Sequence, residues 1–503
     1  MENDIKSKAN IITMSDNQQK SFVSILKSTL IFGSTQVFQM LIMLIRTKIS
    51  AIFLGPLGMG MVSIYQSVIV TVTQFSSLGT FQSGIKEISN SKGKERVEII
   101  FVFSKLVNTL SIFGVIIMIL LSYPLSLLNF KSSDHAISFL LLSCAVGFYM
   151  LSQKQITVMQ ATRQTRSIAL NSLLVAASSL IFGWIGYSQF GIKAIIPVLI
   201  ITYFVQYLIG KYLIKIPKLK EVKTKKELID KSGPILKLGI ILMISVLLIN
   251  TYNIIFNSII SRYGKIEDLG YYNSAFSITN GTILILISVL TSDYFPRLSA
   301  SITNIQETKL IVNQQTELIC LITAPISICL IIFSSVVVKI LLSPQFVVIV
   351  PILQCMSLGL MFRVVWQSMS YIILSRGDKK SYFVFDALIA NGFSFLLNLY
   401  LYFSIGLKGF GYSFLISSFL VAFFLVFIVR KKYKIQFNSV FLRSYIIILS
   451  LVLASFVLTF FFESNIFSLL VLFISITYSI KTILRKTGFD MAVFIKSKIK
   501  SIK

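Results

Sequence analysis

Residues 98–122, EIIFVFSKLVNTLSIFGVIIMILLS, contain only two charged side chains and predict a helix that crosses a bilayer. Such stretches recur along the whole chain of 503 residues, of which 55% are hydrophobic and 13% are charged. One compact core could not hide this much apolar surface, so much of it must face lipid. The sequence therefore predicts an all-α integral membrane protein.

The same criterion predicts about fourteen membrane-spanning helices along the sequence. The loops between them are too short to form a soluble catalytic domain. The predicted spans are residues 22–45, 60–83, 98–122, 136–156, 168–188, 193–214, 235–260, 270–292, 318–342, 347–373, 382–404, 409–429, 442–462 and 465–484.

The basic excess, 47 Lys and Arg against 19 Asp and Glu, has a topological explanation that does not involve nucleic acid. If the N-terminus is cytoplasmic, 25 of the basic loop residues fall on the cytoplasmic side and 7 on the opposite side. Because basic loops are retained in the cytoplasm, this distribution predicts a multi-pass protein of the plasma membrane with both termini in the cytoplasm.

Two halves of the sequence align at a shift of about 210 residues. Leu26-Lys27 matches Leu236-Lys237, and Leu57-Gly58 matches Leu269-Gly270. Six helices return the chain to the starting side, so the repeat is parallel, with a pseudo-twofold axis along the membrane normal. Two bundles related in this way enclose a central cavity that can open alternately to either side.

This repeat divides the chain into six segments. They are a cytoplasmic N-terminal segment (1–20), a first six-helix bundle (21–214), a basic cytoplasmic linker (215–234), a second six-helix bundle (235–430), a C-terminal extension of two helices (431–484) and a basic cytoplasmic tail (485–503).

Several predicted spans carry a polar stripe that lipid would not accept. The candidate substrate-binding residues on these stripes are Gln39 and Arg46 in the first span, Gln74 in the second, Lys105 in the third, and Arg363 and Gln367 in the tenth. A cavity with surplus positive charge favours an anion, because a guanidinium group matches phosphate oxygens.

Other interpretations remain open for the charged residues. Arg46 and Lys105 are close enough to helix ends to extend to the membrane surface. Arg363 is deeper, where a functional role competes with a structural pair to Asp386 on the next span. Asp386 and Asp293 are candidates for carrying a coupling proton.

The sequence lacks the motifs for nucleotide hydrolysis, metal binding and hydrolytic catalysis. It has no Walker motif, and its single histidine, His135, is expected to be a solvated loop residue. The four cysteines lie in apolar runs without CxxC spacing, so no metal site and no cofactor is predicted. Hydrolytic catalysis is not expected, and secondary transport remains.

One series of short motifs resembles a known family. Arg46-Thr-Lys48, then Ala51-Ile-Phe-Leu-Gly-Pro-Leu-Gly-Met-Gly60, Tyr65-Gln66 and Gly84-Ile-Lys86 resemble segments of the O-antigen translocases. These are polysaccharide flippases of the MOP (multidrug/oligosaccharidyl-lipid/polysaccharide) exporter superfamily. Asp293-Tyr-Phe-Pro-Arg297 is also similar to a segment of these flippases, and the resemblance covers about residues 20–434.

The resemblance implies a flippase that moves undecaprenyl-diphosphate-linked oligosaccharide repeat units across the bacterial inner membrane, for O-antigen (lipopolysaccharide) or other surface polysaccharide. The implied partners are this lipid-linked substrate, membrane lipids, and a polysaccharide polymerase with other assembly proteins. Arg46, Lys105 and Arg363 would contact the diphosphate or acidic sugars as the bundles alternate between two open states.

Two alternative functions remain, one within the same superfamily and one from another functional class. A multidrug or cation antiporter of the same superfamily would need carboxylates within the bundles, and this sequence has few. A membrane polysaccharide polymerase or ligase would need a sizeable outer loop, and the longest one here has about a dozen residues.

Overall fold

The computed structural model describes residues 16–215, 225–289, 294–462 and 465–487, and these residues form helices and short connections without a β-strand. The α-helices are α1 (Asp16–Ser76), α2 (Thr80–Asn90), α3 (Gly93–Phe130), α4 (Ala136–Ala161), α5 (Thr165–Phe190), α6 (Ile195–Leu213), α7 (Lys225–Tyr263), α8 (Ile266–Val289), α9 (Phe295–Ala300), α10 (Ile305–Ile332), α11 (Ser334–Leu341), α12 (Val350–Ser375), α13 (Lys379–Tyr382), α14 (Asn391–Ile405), α15 (Gly409–Tyr433), α16 (Ser439–Phe460) and α17 (Asn465–Thr487). A π-helical segment, Phe383–Ala390, joins α13 to α14.

The prediction of an all-α membrane protein is confirmed. Nine helical stretches among the described residues are long and apolar enough to cross a membrane, and two of them, Thr165–Leu213 and Lys380–Tyr433, each contain two consecutive helices. Where the structure describes them, the predicted spans lie mostly on helix, with short interruptions such as residues 77–79 and residues 461–462. The count of fourteen spans stays a prediction.

The first two predicted spans form one helical run, α1, with a kink at Gly55. The backbone there has φ 63° and ψ −172°, and Pro56 follows, which lacks the N–H that would continue the hydrogen-bond pattern. The second span ends at Ser76, earlier than the predicted residue 83, because Leu78 and Gly79 are left-handed (φ 49° and 67°). The chain then turns into the separate helix α2.

The most enclosed helices belong to the second half of the chain. Within an apolar stretch of 18 residues, 72% of the residues are buried in Ile305–Ile332 and 67% in Pro344–Ser375. The corresponding share is 39% in α3 and in α4. Gly359 and Gly411 bring α12 close to α15, since a Cβ at Gly411 would lie 2.9 Å from the Cα of Ile352. The second half is therefore built around α12, which carries Arg363.

The two halves meet through a reciprocal glycine contact between α1 and α8. A Cβ at Gly60 would collide with the carbonyl oxygen of Ile266, and a Cβ at Gly270 would collide with the carbonyl oxygen of Pro56. A shift of 210 residues maps Pro56 onto Ile266 and Gly60 onto Gly270, as a pseudo-twofold axis requires. Gly270 is thus the partner of Gly60, and matching it to Gly58 was wrong by two residues.

The halves also approach at the other end of α1. A Cβ at Gly79 would collide with the carbonyl oxygen of Gly239 on α7. Near the predicted outer ends, Ser258 on α7 donates a hydrogen bond to Asn129 on α3 over 2.9 Å. The bundles are therefore in contact near both ends of their interface.

The C-terminal extension packs on the second half. Both α16 and α17 contact α10, and Lys486 forms an ion pair with Glu317, whose side chain is 5% exposed. Two predicted boundaries shift in the structure. α7 begins at Lys225, inside the predicted linker 215–234, and α17 continues to Thr487, past the predicted start of the tail.

Candidate functional site

The second bundle encloses a cavity of about 210 Å³ that contains Arg363 and Gln367. Both residues are on α12, and their spacing of four puts them on one face of the helix. Five side-chain amides and several aromatic rings surround the space. The amides are Asn253, Asn280, Gln367, Asn391 and Asn398, and the rings include Tyr252, Phe256, Tyr272, Phe276, Phe395 and Phe414.

Arg363 is held against an indole ring. Its guanidinium carbon lies 3.6 Å from the centroid of the Trp366 ring, which is a close cation–π contact. The Arg363 Nε is buried and has no hydrogen-bond partner. Among the described residues, no carboxylate oxygen lies within 4.0 Å of the guanidinium group, so its charge is available to a ligand.

Asp386 lies at the Nε1 edge of the same indole. It accepts hydrogen bonds from Trp366 Nε1 at 3.0 Å and from Ser370 Oγ at 2.7 Å. The direct ion pair between Arg363 and Asp386, one of the two interpretations of the sequence, is therefore absent from the described contacts. Trp366 contacts both groups, Arg363 through its ring face and Asp386 through Nε1, and so helps to orient them.

Two hydrogen-bonded amides on α14, Asn391 and Asn398, form part of the wall of this cavity. Asn398 accepts a hydrogen bond from Ser413, and its Nδ2 donates to Tyr272 Oη over 3.4 Å. Asn391 Nδ2 donates to the backbone carbonyl of Asp386 over 2.7 Å. Because these contacts lock the amides in place, the wall presents fixed polar groups to the space in front of Arg363.

The first bundle encloses a second cavity, of about 250 Å³, that contains Arg46. It lies between α1, α5 and α6, and Tyr187 and Tyr203 form part of its wall. Arg46 is exposed, unlike Arg363. The other polar groups are mainly hydroxyls, and the set comprises Ser50, Gln66, Ser172, Ser179, Thr202 and Gln206.

A third cavity, of about 280 Å³, lies between α1, α2 and α4, in the half of the first bundle away from Arg46. Gln74 is in its wall, together with Gln82, Gln153 and Gln160. We call it the glutamine cavity.

The structure separates the predicted site residues. Arg46, Gln74 and the pair Arg363 and Gln367 line three different cavities, each formed by residues of a single bundle. The expectation that they face one shared cavity is not met among the described cavities. The side chain of Gln39 and the whole of Asp293 lie outside the described residues.

Lys105 is exposed on α3 and lines none of the three cavities. Its ammonium group lies 5.7 Å from the Phe101 ring on the same helix. The neighbouring Asn108 accepts a hydrogen bond from Lys154 Nζ over 2.8 Å. The interpretation of Lys105 as a residue that extends to the membrane surface fits this position better than a place beside the arginines.

Two residues have contacts that the sequence analysis missed. Trp366 was not expected to take part in a site, although its spacing of three from Arg363 on one helix signals contact. His135 was expected to be a solvated loop residue; it does lie in the turn before α4 but is only partly exposed, with its Nδ1 3.0 Å from the hydroxyl of Tyr65 and its ring stacked on Phe130 at 3.9 Å.

The three cavities share one electrostatic property. Their described lining residues include two arginines and no Asp or Glu. Charge complementarity therefore favours an anion, or a neutral polar group, over a cation.

Comparison with known proteins agrees with the helical architecture. Residues 49–351, more than half of the chain, match the model of a family described as polysaccharide biosynthesis protein. A sequence comparison with curated proteins finds no match.

Solved structures share the fold at low sequence identity. The inward closed conformation of the lipid II flippase MurJ aligns with a TM-score of 0.69 and 16% identity, over 93% of this chain and 100% of that chain. An inward-facing multidrug resistance MATE family transporter of the MOP superfamily aligns with a TM-score of 0.66 and 14% identity, over 80% and 98%.

A MOP superfamily transporter from Pyrococcus furiosus, described as having a binding pocket of reverse polarity, aligns with a TM-score of 0.55 and 14% identity, over 83% and 96%. These likenesses establish the fold of a MOP superfamily transporter. With the family match over residues 49–351, they lead to one conclusion: the chain belongs to the polysaccharide biosynthesis protein family and has the MOP transporter fold.

Proposed function

We propose that this protein is a flippase that moves undecaprenyl-diphosphate-linked oligosaccharide repeat units across the bacterial inner membrane, for O-antigen or another surface polysaccharide. One observation carries the proposal. Arg363 is a guanidinium group inside a membrane bundle, without a carboxylate within 4.0 Å among the described residues, and it faces a cavity lined by amides and aromatic rings.

The diphosphate would be bound by the guanidinium group. Placing a charge inside a bundle is costly unless a partner compensates it, and a phosphate oxygen is such a partner. The fork of Arg matches two phosphate oxygens at once, which makes the contact both strong and directional. Trp366 keeps Arg363 in position while the cavity is empty.

The glycan would be bound by the remaining wall of the cavity. Side-chain amides both donate and accept hydrogen bonds, so they suit sugar hydroxyls, and aromatic rings cover the apolar faces of sugars. The isoprenoid tail would stay in the bilayer while the head group enters between the bundles.

Movement would come from the two bundles rocking about their interface. The contacts of Gly60 with Ile266 and of Gly270 with Pro56 bring the backbones of α1 and α8 together. Small residues allow such close helix contacts in membranes without large side chains that would have to be repacked.

The comparisons support a flippase in two ways. The family is described by polysaccharide biosynthesis. The lipid II flippase aligns over 93% of this chain, an extent that has to include part of the region beyond residue 434, where α16 and α17 lie.

A second candidate function is multidrug or cation antiport, which one observation favours. Asp386, in the π-helical segment, is a carboxylate close to the second-bundle cavity, and such segments are frequent at functional sites. Against it, Asp386 is held by hydrogen bonds from Trp366 and Ser370, and the described cavity linings contain no acidic residue.

The test uses the native bacterial host. Deletion of the gene should stop surface polysaccharide and cause lipid-linked repeat units to accumulate inside the cell. The double substitution Arg46→Ala with Arg363→Ala, at normal membrane expression, should give the same result. Normal export by the double variant would remove the assignment of these arginines, and normal export by the deletion strain would remove the proposed function.

A further inference from the structure

The glutamine cavity differs from the two arginine cavities because no charged side chain is among its described lining residues. Its polar groups come from three helices. They are Thr73 and Gln74 on α1, Gln82 on α2, and Tyr149, Gln153, Thr157 and Gln160 on α4. At about 280 Å³, the space is close to the lower end of small-molecule sites, which begin at about 300 Å³.

Several polar atoms in this wall have no partner. Gln74 is 8% exposed and its Nε2 makes no hydrogen bond, and Thr73 is 3% exposed with an unpartnered Oγ1. The Oε1 of Gln82 is also buried without a partner. The wall therefore holds an unused amide donor, an unused amide acceptor and an unused hydroxyl.

Unsatisfied buried groups of this kind are rare in folded proteins, because each forfeits the hydrogen bonds it would make to water. The terminal torsion of a glutamine side chain turns easily, so these atoms can be presented to a molecule in the cavity. An uncharged ligand rich in hydroxyl groups satisfies donors and acceptors together. A phosphate or a carboxylate would leave the acceptors unsatisfied and would find no cation here.

We propose that the glutamine cavity binds uncharged sugar residues of the lipid-linked substrate, in the half of the first bundle that is predicted to face the cytoplasm. This inference rests on the proposed function and assigns different parts of the substrate to different cavities. The arginine cavities hold the diphosphate, with part of the glycan beside Arg363, and the glutamine cavity holds neutral sugars through amide–hydroxyl hydrogen bonds.

The test measures binding to the purified full-length protein in detergent micelles, by microscale thermophoresis, with two probes. One is farnesyl diphosphate, and the other is farnesyl-diphosphoryl-N-acetylglucosamine, which adds one neutral sugar. The variants are Gln74→Leu and Gln153→Leu. The matched control is Gln155→Leu, a buried glutamine of α4 whose Oε1 is also unpartnered but which contacts Gly210 on α6 and lies outside the cavity lining.

Each cavity variant should bind the sugar-bearing probe about tenfold more weakly, as expected for the loss of one or two hydrogen bonds, and should bind farnesyl diphosphate as the native protein does. Gln155→Leu should bind both probes like the native protein. Gln74→Leu should melt at the native temperature or higher, because leucine replaces an amide that has no partner.

Three results would contradict the inference. If the cavity variants bind the sugar-bearing probe normally while Arg363→Ala loses both probes, the glutamine cavity has no role and the proposed function stands. If Gln74→Leu melts at a lower temperature and weakens both probes equally, its role is structural. If the native protein binds neither probe, the proposed function itself fails.

Discussion

Arg363 in the second bundle and Arg46 in the first are single guanidinium groups in cavities of similar size, about 210 and 250 Å³. Their surroundings differ. Arg363 lies in the more buried half of the molecule, 3.6 Å from the centroid of an indole ring and facing fixed amides. Arg46 is exposed, and its cavity is lined mainly by hydroxyls and tyrosine rings.

The difference indicates where binding energy is concentrated. A guanidinium group that is preorganised and shielded from water binds an anion more strongly than one that solvent screens. Arg363 is therefore expected to dominate diphosphate binding, and Arg46 to contribute less.

The largest effect is expected from removing the two charges separately. Arg363→Ala should weaken farnesyl diphosphate binding about 100-fold, because it removes a charge-assisted contact worth about 1.5–3 kcal/mol. Arg46→Ala should weaken it about fivefold, since exposed pairs contribute about 0–1 kcal/mol. Binding to purified protein checks both. Equal losses would remove the distinction between the cavities, and Arg363→Lys should retain part of the affinity.

The next effect concerns the contact between the bundles. Gly60→Ala and Gly270→Ala each place a Cβ against a backbone carbonyl of the other half. Overpacking of this kind costs about 1–3 kcal/mol, so the two halves should separate at this end. Spin-label distances across the interface would measure the change. Gly233→Ala, where a Cβ meets no atom within 4 Å, is the control and should give native distances.

A smaller effect is expected at the indole ring. Trp366→Leu removes the cation–π contact and the hydrogen bond to Asp386, so diphosphate binding should weaken about fivefold, for a loss of about 1 kcal/mol. Trp366→Phe keeps an aromatic face and should recover part of the loss. Trp184→Leu, at a tryptophan that is 57% exposed, should bind normally. Native affinity in Trp366→Leu would show that the indole does not position Arg363.

The smallest effect is a pH dependence in the first bundle alone. Burial lowers the pKa of His135 below its ordinary value, against the opposing charge of Asp134. The folded state therefore favours the neutral ring. The contribution of His135 to the free energy of unfolding should be complete at about pH 7.5 and should decline as the pH falls below about 6.5. The melting temperature should drop by about one degree at about pH 5.5. His135→Gln should remove this part of the pH dependence, and an unchanged profile would contradict the assignment.

Much of the fold could be predicted from the sequence because membrane spans are encoded locally. A run of about 20 apolar residues is sufficient to identify a helix, and each predicted span lies mostly on helix where the structure describes it. The kink at Gly55 and Pro56 lies between the first two predicted spans, at a Gly-Pro pair that is typical of turns. The break at Leu78 was not, because a left-handed leucine leaves no signature in composition.

The site was only partly predictable. The pairing of Arg363 with Gln367 follows from helical spacing, and the structure places both in one cavity. The assignment of residues to three cavities depends on how helices pack around each other, which spacing along one helix cannot specify. For that reason Lys105, which has a polar neighbour three residues away, was grouped with the arginines although it is exposed on α3.

The central claim is that Arg363 recognises the diphosphate of a lipid-linked glycan during its movement between leaflets. The direct measurement is translocation of a fluorescent undecaprenyl-diphosphoryl oligosaccharide in proteoliposomes that contain native protein, Arg363→Lys or Arg363→Ala at equal reconstitution. We expect transport by the native protein, reduced transport by Arg363→Lys and background transport by Arg363→Ala. Native rates in Arg363→Ala would contradict it.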